Sequence, residues 1–325
     1  MANATLNHPL QSLGSGDAQA LALKQYAGML LTAYETATVF GRYGLKHQIT
    51  SGNSHQFPRL WKTSASEHTA GTEIVGVNAP ITKELTIAVD SKELVSANHL
   101  SKYDDFIAHY DTRAQVATEH ARAIARTVDV RLARQIILGA RQSASGPNSE
   151  FPAGNLLDSP RTGPIATAYP ATLTGSKAFQ SDMEEIAQKM DEKDVPRDGR
   201  VGFITPYIDR VLRQDDSLLS NDYQSVNGKL ERRLIRVAGF ELVMTNQMPS
   251  TNVTTETDSQ YNGDFSTTVA CFIGDNSAFG QVFFTGIEPL YADKTSTHRA
   301  WMFGAAFLQG AKWLRTEACG EIAIA

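Results

Sequence analysis

Residues 101–139 read SKYDDFIAHYDTRAQVATEHARAIARTVDVRLARQIILG, and the spacing of apolar residues in this stretch decides the fold class. Tyr103, Ile107, Tyr110, Ala114, Ala117, Ala121, Ile124, Val128, Leu132 and Ile136 recur every three or four positions, which is the period of one helix face. The stretch closes a run from Ile81 to Leu138 that holds neither Pro nor Gly. Ser101 with Asp104 three residues on offers a capping-box-like start, and Gly139 offers a stop. A helix from about Asp104 to Leu138, at about 1.5 Å per residue, is roughly 50 Å long. A compact chain of this size has a radius of gyration of only about 20 Å. A structural spine in a flattened subunit fits this better than a coiled coil, because no second helix of comparable length is there to pair with it.

Outward from the spine, residues 1–16 carry little pattern and read as an extended arm that needs a neighbour to lie on. Asp17 caps a helix bearing Leu21, Tyr26, Met29, Leu30 and Ala33, after which Leu45, His47 and Ile49 alternate like a strand. Strand-like Phe57–Leu60 and the alternating Leu85, Ile87 and Val89 bracket a polar stretch, so the intervening chain is expected to project as a two-stranded loop. Ser143–Gly175 contains five prolines and no period, and is expected to cross between domains without regular structure. Ser176 is placed as the cap of a helix with Phe179, Met183, Ile186 and Met190 on one face. A strand Val201–Ile204 runs into a helix with Thr205 at the N-cap and Pro206 at its first position. Strands are expected at Phe240–Met244 and Val269–Ile273, with an exposed Thr-rich loop from Pro249 to Thr268 between them. Trp301–Ile324 is apolar and is expected to return as strands to the spine region. No internal repeat is visible.

Thirty basic and 35 acidic residues leave a formal charge of −5, which argues against a chain-wide nucleic-acid-binding surface. No apolar run reaches the ~18 residues of a membrane span, and no secretory signal is visible, so the product is expected to stay inside the cell that makes it. Cys271 and Cys319 are too far apart for a zinc knuckle and are expected to be buried free thiols. Asp105 and His109 are four apart and Asp111 lies near, so the long helix could hold a metal pair on one face, but no third ligand is identifiable. There is no His-Glu-x-x-His pattern and no nucleophile elbow. No catalytic residue, cofactor or metal is therefore expected, and the chain reads as a non-enzyme. Arg113, Arg122 and Arg126 lie on the long helix. Glu119 and Asp129 stand three residues from Arg122 and Arg126, so local ion pairs or contacts with a neighbouring subunit account for them. Phe57, Arg59 and Trp61 sit on the rim of a loop expected to be unable to bury them in its own domain, which makes them candidates for an interface.

Gly52-Asn53-Ser54-His55-Gln56-Phe57-Pro58 resembles a Gly-Lys-Ser-x-Gln-Phe-Pro stretch, and His109-Tyr110-Asp111-x-Arg113 a His-Tyr-Asp-x-Arg, of the major capsid proteins of T-seven-like short-tailed phages (autographivirus/podovirus). Gly239-Phe240-Glu241-Leu242-Val243, Ser277-Ala278-Phe279-Gly280 and Leu314-Arg315-Thr316-Glu317-Ala318-Cys319-Gly320 resemble three further segments of that family in the same order. The family's His-Arg before Ser-Ala is Asp275-Asn276 here, and the Pro of its C-terminal segment is Thr316. The resemblance implies an α+β, HK97-like capsid fold. Its expected divisions are an N-terminal arm and helix (1–44), an extended β-hairpin loop (45–90), a peripheral (P) domain with the spine helix (91–175), an axial (A) domain (176–280) and a return to the P domain (281–325). It also implies a virion shell subunit, assembled in the host cytoplasm as pentamers and hexamers into an icosahedral head. Implied partners are a scaffolding protein, a portal at one vertex and the enclosed double-stranded DNA. The loop shows no crosslinking pair, so shell stability is expected to be noncovalent. An encapsulin-like compartment, a soluble metal hydrolase and a fibrous scaffold are the alternatives.

Overall fold

The computed structural model describes residues 18–60, 67–73, 82–101, 103, 112–145, 151–215, 236–294 and 299–325. Four helices are labelled α1 (Ala18–Ala37), α2 (Thr112–Ala140), α3 (Leu173–Glu192) and α4 (Pro206–Leu212). In chain order the first eight strands are β1 (Leu45–Gln48), β2 (Ser54–Leu60), β3 (Thr82–Ala88), β4 (Leu94–Ser101), β5 (Asn155–Ser159), β6 (Val201–Ile204), β7 (Arg236–Val237) and β8 (Phe240–Met244). The rest are β9 (Asn252–Val253), β10 (Gly263–Asp264), β11 (Thr268–Ile273), β12 (Phe279–Phe283), β13 (Glu288–Lys294), β14 (Ala300–Phe307), β15 (Gln309–Trp313) and β16 (Cys319–Ile324).

The expected spine is α2, 29 residues and about 43 Å long. Ala117, Ala121, Ile124, Val128, Leu132 and Ile136 of the expected stripe are buried, and Ala125, Ala133, Ile137 and Ala140 widen it. Tyr103 is 70% exposed and does not belong to the stripe; Ile107 and Tyr110 lie outside the described residues. Ser101 ends β4, and its Oγ accepts the Tyr103 N–H at 3.2 Å; Asp104, its expected capping partner, lies outside the described residues. Gly139, expected to stop the helix, does not, since α2 runs on to Ala140 and Gly139 keeps an ordinary φ. Its reason is packing. A Cβ at Gly139 would stand 2.8 Å from the Trp313 Cβ and 2.9 Å from the Cys319 Sγ. Gly139→Ala gains about 1 kcal/mol of helix propensity but incurs an overpacking cost of about 1–3 kcal/mol, because a Cβ atom cannot swing aside. The expected result is a lower urea midpoint at unchanged slope.

The chain forms two compact units. The first comprises the chain up to Arg42, Asp90–Asp129 and Phe283–Gln309. Its sheet is antiparallel in the order β13-β14-β4, in a register that sets Leu94 opposite Phe307 and Glu288 opposite Ala306. Tyr26 and Tyr34 of α1 pack against Phe303 and Phe307, each pair with ring centroids 5.5 Å apart. Asp129 of α2 is fully buried and accepts three consecutive amides at the exit of α1: Val39 at 2.8 Å, Phe40 at 3.1 Å and Gly41 at 3.3 Å.

The second unit comprises Tyr43–Val89, Val130–Val282 and Gly310–Ala325. Its main sheet runs β5-β16-β11-β6-β8-β7, with β5 parallel to β16 and β6 parallel to β8. Every residue of β6, β11 and β16 is buried, as in strands covered on both faces. Phe179, Met183, Ile186 and Met190 of α3 are fully buried as expected, and Met190 and Ile186 flank Gly320 of β16. Between β7 and β8 the chain reverses through Ala238 and Gly239, φ 50° and 84°, the left-handed pair a two-residue hairpin requires.

Several local expectations need correction. Helix α3 begins one turn early, with Thr172 as N-cap accepting the Gly175 N–H, so Ser176 is interior and its hydroxyl donates to the Leu212 carbonyl. The crossing Ser143–Gly175 contains β5 and a helical turn, Ile165–Ala168. Among the described residues strand β5 pairs with the C-terminal β16, more than 150 residues on in sequence, so nothing local announces it. The Thr-rich segment is not simply an exposed loop, since β9 pairs with β10 and Tyr261 and Phe265 are fully buried. Thr205 and Pro206 open α4 as expected, but the Thr205 hydroxyl makes no cap hydrogen bond. The six-stranded sheet draws β5 from residues 155–159 and β16 from residues 319–324.

Candidate subunit interface

The hairpin β2–β3 is a two-stranded sheet in a register from Ser54 opposite Ala88 to Leu60 opposite Thr82. Side chains in a strand alternate between faces. Ser54, Gln56, Pro58, Glu84, Thr86 and Ala88 are exposed, while His55, Phe57, Arg59, Leu85 and Ile87 turn inward. Phe57 and Leu85, directly opposite each other, pack with Val89 against a buried cluster of Ile49, Ile87, Val282 and Leu314. Pro58 sits on an open strand edge, where its missing N–H costs no ladder bond. Beyond the strands, residues 67–73 are exposed and turn with the Thr72 N–H donating to the Thr69 carbonyl at 3.2 Å.

Arg59 is the polar anchor of this root. Its Nη2 donates to Thr316 Oγ1 at 2.9 Å and to Glu317 Oε2 at 3.0 Å, and its guanidinium lies 4.5 Å from the Phe151 ring centroid. The Thr316 hydroxyl in turn donates to the Pro152 carbonyl at 2.6 Å, a bond the family's Pro cannot make. Glu317 also accepts from Arg315 Nε at 2.9 Å, and Arg315 reaches Asp275 at 3.0 Å. Burial alone would push the Glu317 carboxyl up, but its backbone N–H, the Arg315 hydrogen bond and the charges of Arg315 and Arg59 hold it below the usual range. Asp275 and Thr316, two of the positions that depart from the family pattern, thus both belong to one network. Arg59→Met keeps a stem over Phe151 and loses both hydrogen bonds. Hydrogen bonds to charged groups are worth about 1.5–3 kcal/mol, so amide exchange in β2 and β3 is expected to rise, read by mass spectrometry on peptides from the hairpin.

The inward placement overturns the expectation that Phe57 and Arg59 cannot be buried within their own domain. Only the alternation of the strands and the distant Thr316-Glu317 turn make room for them. Trp61 lies outside the described residues, as do Asp105, His109 and Asp111. Among the described residues no group of three His, Cys, Asp or Glu could hold a metal, and no helix is long and apolar enough to cross a membrane. Cys271 and Cys319 are buried free thiols, and burial pushes both up, so neither is nucleophilic.

On α2, Arg113 falls within the helix. Arg122 forms the expected pair with Glu119, Nη1 to Oε1 at 2.8 Å, with both side chains more than half exposed. The expected pairing of Arg126 with Asp129 fails, because Asp129 points inward to the three amides after α1. Arg126 is exposed one turn beyond Arg122, and no ion pair engages it among the described residues. Sequence reasoning missed Thr316 and Glu317 as anchors of the hairpin root. Their only signal was the family-like segment in which they lie.

The model of the Gp10A-like family, described as a major capsid protein, matches residues 56–288, which includes most of β2, all of α2 and five strands of the six-stranded sheet. The chain belongs to this capsid family. The major capsid protein of Escherichia phage T7 is 32% identical over 120 residues, 36% of this chain and 34% of that protein. That of Enterobacteria phage T3 is 27% identical over 239 residues, 70% of this chain and 66% of that protein. The matched stretches thus span about a third of one curated relative and just under two thirds of the other. Among solved structures, the capsid of Cyanophage P-SCSP1u has a TM-score of 0.74 at 26% identity and covers 89% of this chain and 88% of its own. The mixed α+β architecture is accordingly the HK97-like capsid fold. This is a structural family, and its place is the virion.

Proposed function

We propose that this chain is the repeating subunit of a closed icosahedral phage head, in which copies join as rings of five and six around double-stranded DNA. The likeness to the cyanophage capsid over 89% of the chain carries this reading. Rings of five and six demand contacts that tolerate slightly different angles, and extended segments laid over neighbours permit this where rigid patches do not. The arm at 1–16 and the loop between β2 and β3 are the segments we assign to that task. Trp61, Arg113, Arg122 and Arg126 are the contact residues we assign to neighbours; Phe57 and Arg59 support the loop from below. A formal charge of −5 suits containment of DNA without adhesion to the wall.

Within the subunit, we assign the arm to 1–44, the extended loop to 45–90, the peripheral domain to 91–175 with 281–325, and the axial domain to 176–280, with β5 and β16 lending their strands to the axial sheet. A scaffolding protein during assembly and a portal at one vertex are the further partners of this reading. Negative-stain microscopy of the expressed chain, with and without a scaffold, tests it. Closed shells are the expected result. Elongated bundles, or a monomer that never assembles, would overturn it, and shells filled with an enzyme cargo instead of DNA would favour a cellular compartment.

A further inference from the structure

His47 on β1 and His55 on β2 lie face to face, with ring centroids 3.6 Å apart and planes 22° from parallel. Phe57 meets both edge-on, 4.7 Å from His55 and 6.4 Å from His47. The stack lies on the inward face of β2 and joins the hairpin root to a strand of another sheet, since β1 pairs in the order β1-β12-β15. We propose that this histidine pair is an acid-releasable catch: neutral, it holds the root of the β2–β3 hairpin to β1, and doubly protonated, it lets the root go.

Two neutral imidazoles stack favourably, and a single proton is tolerated as a cation over a π face. A second proton sets two like charges at contact distance. Among the described residues, the groups around the pair offer no compensation. Strand β12 carries no titratable residue, nor does the connection Ile49–Asn53. Opposite His55 stands Ile87, flanked by Leu85 of β3 and by Val89 just past its end. The nearest charges on the same strands are the cations Lys46 and Arg59, and Arg59 is already held by Glu317. Glu84 of β3 is exposed on the outer face. Burial, and then the charge of His47, lower the His55 pKa from its ordinary value. The sign follows. The folded chain resists the proton more than the unfolded chain does, so the contribution of the stack is complete above the ordinary imidazole value of about 6.5 and is lost as pH falls from there through the lowered folded value.

Hydrogen exchange of the full chain tests the catch on peptides covering β2 and β3, at about pH 7.5 and about pH 5 with intrinsic rates corrected. Protection in the wild type is expected to drop about fivefold at the lower pH, the size of two unit charges about 4 Å apart in water. Peptides from β6 and β11, which carry no histidine, serve as the unaffected reference. His55→Phe, which keeps an aromatic face and cannot titrate, is expected to hold its protection at both pH values. An equal drop in His55→Phe, or no drop in the wild type, overturns the proposal. If His55→Phe fails to fold, imidazole titration of the wild type by NMR decides. Two separate steps, one of them below the ordinary value, support the catch, and two independent ordinary titrations refute it.

Discussion

Arg141→Met is expected to lower the stability of the second unit by about 3–5 kcal/mol, the usual cost of stranding one member of a buried ion pair. Arg141, one residue past the end of α2, grips Glu321 of β16 bidentately, Nε to Oε2 and Nη2 to Oε1, both at 2.6 Å. Glu321 is fully buried, whereas the Arg141 side chain keeps 24% of its exposure. The guanidinium also donates to the Asp264 carbonyl and lies 5.7 Å from the Phe265 ring centroid, so it ties the end of the spine helix to β10 and β16 at once. Once Arg141 is gone, the carboxylate keeps the Thr268 hydroxyl at 2.7 Å but has no cation to balance it inside a fully buried strand. A domain stable by only about 5–15 kcal/mol cannot absorb such a loss without consequence. Denaturant unfolding of the unassembled chain gives the number. The double variant Arg141→Met with Glu321→Leu removes both charges and is expected to recover most of the deficit. A single variant within about 1 kcal/mol of wild type would show that the pair is not what secures the sheet.

Asp129→Ala is the second large effect, and it falls on the first unit. Three amides, the buried ones of Phe40 and Gly41 and the part-buried one of Val39, lose their common acceptor, and each buried unsatisfied donor costs about 1–3 kcal/mol. Relief of a buried charge offsets part of this. A net loss of about 2–4 kcal/mol is expected, with the turn Phe40–Arg42 detaching first. The wild-type carboxyl adds a pH dependence. Burial pushes it up to about 6, against the three amide donors and the charge of Arg42, which hold it down. The folded state therefore binds a proton that the unfolded chain still lacks, and stability rises as pH falls from about 6 toward the ordinary aspartate value of about 3.9. The full span of that rise is about 3 kcal/mol, at 1.36 kcal/mol per pH unit. Thermal unfolding across this window should show the slope in the wild type and its loss in Asp129→Ala. A flat wild-type profile, or a variant with the same slope, would refute the assignment.

The two arginines of α2 singled out beside acidic residues show how far a local rule reaches. Glu119 and Arg122 meet on an exposed helix surface, where neighbours three apart have few competitors. Asp129 and Arg126 have the same spacing and do not meet, because three backbone donors 88 to 90 residues away in sequence claim the carboxylate. The hairpin teaches the same lesson. Its strands and their alternation were visible around Phe57 and Leu85, yet the direction in which Arg59 faces depends on Glu317, 258 residues away. Gly139 looked like punctuation and is instead a gap cut for Trp313 and Cys319.

From its residues alone the chain determined the apolar face of α2, the strands of the hairpin, the buried face of α3, the β6–α4 unit and the family of which it is a member. Each of these is written in short-range periods, caps or motifs, and a backbone restricted to a few dihedral wells must follow them. Tertiary structure alone decided the parallel seat of β5 beside β16, the partners of Arg59, Asp129 and Arg141, and the meeting of His47 with His55. Those outcomes depend on which distant groups are desolvated together. A buried charge or donor takes whatever partner the packing brings within about 3 Å, and no local spacing records that choice.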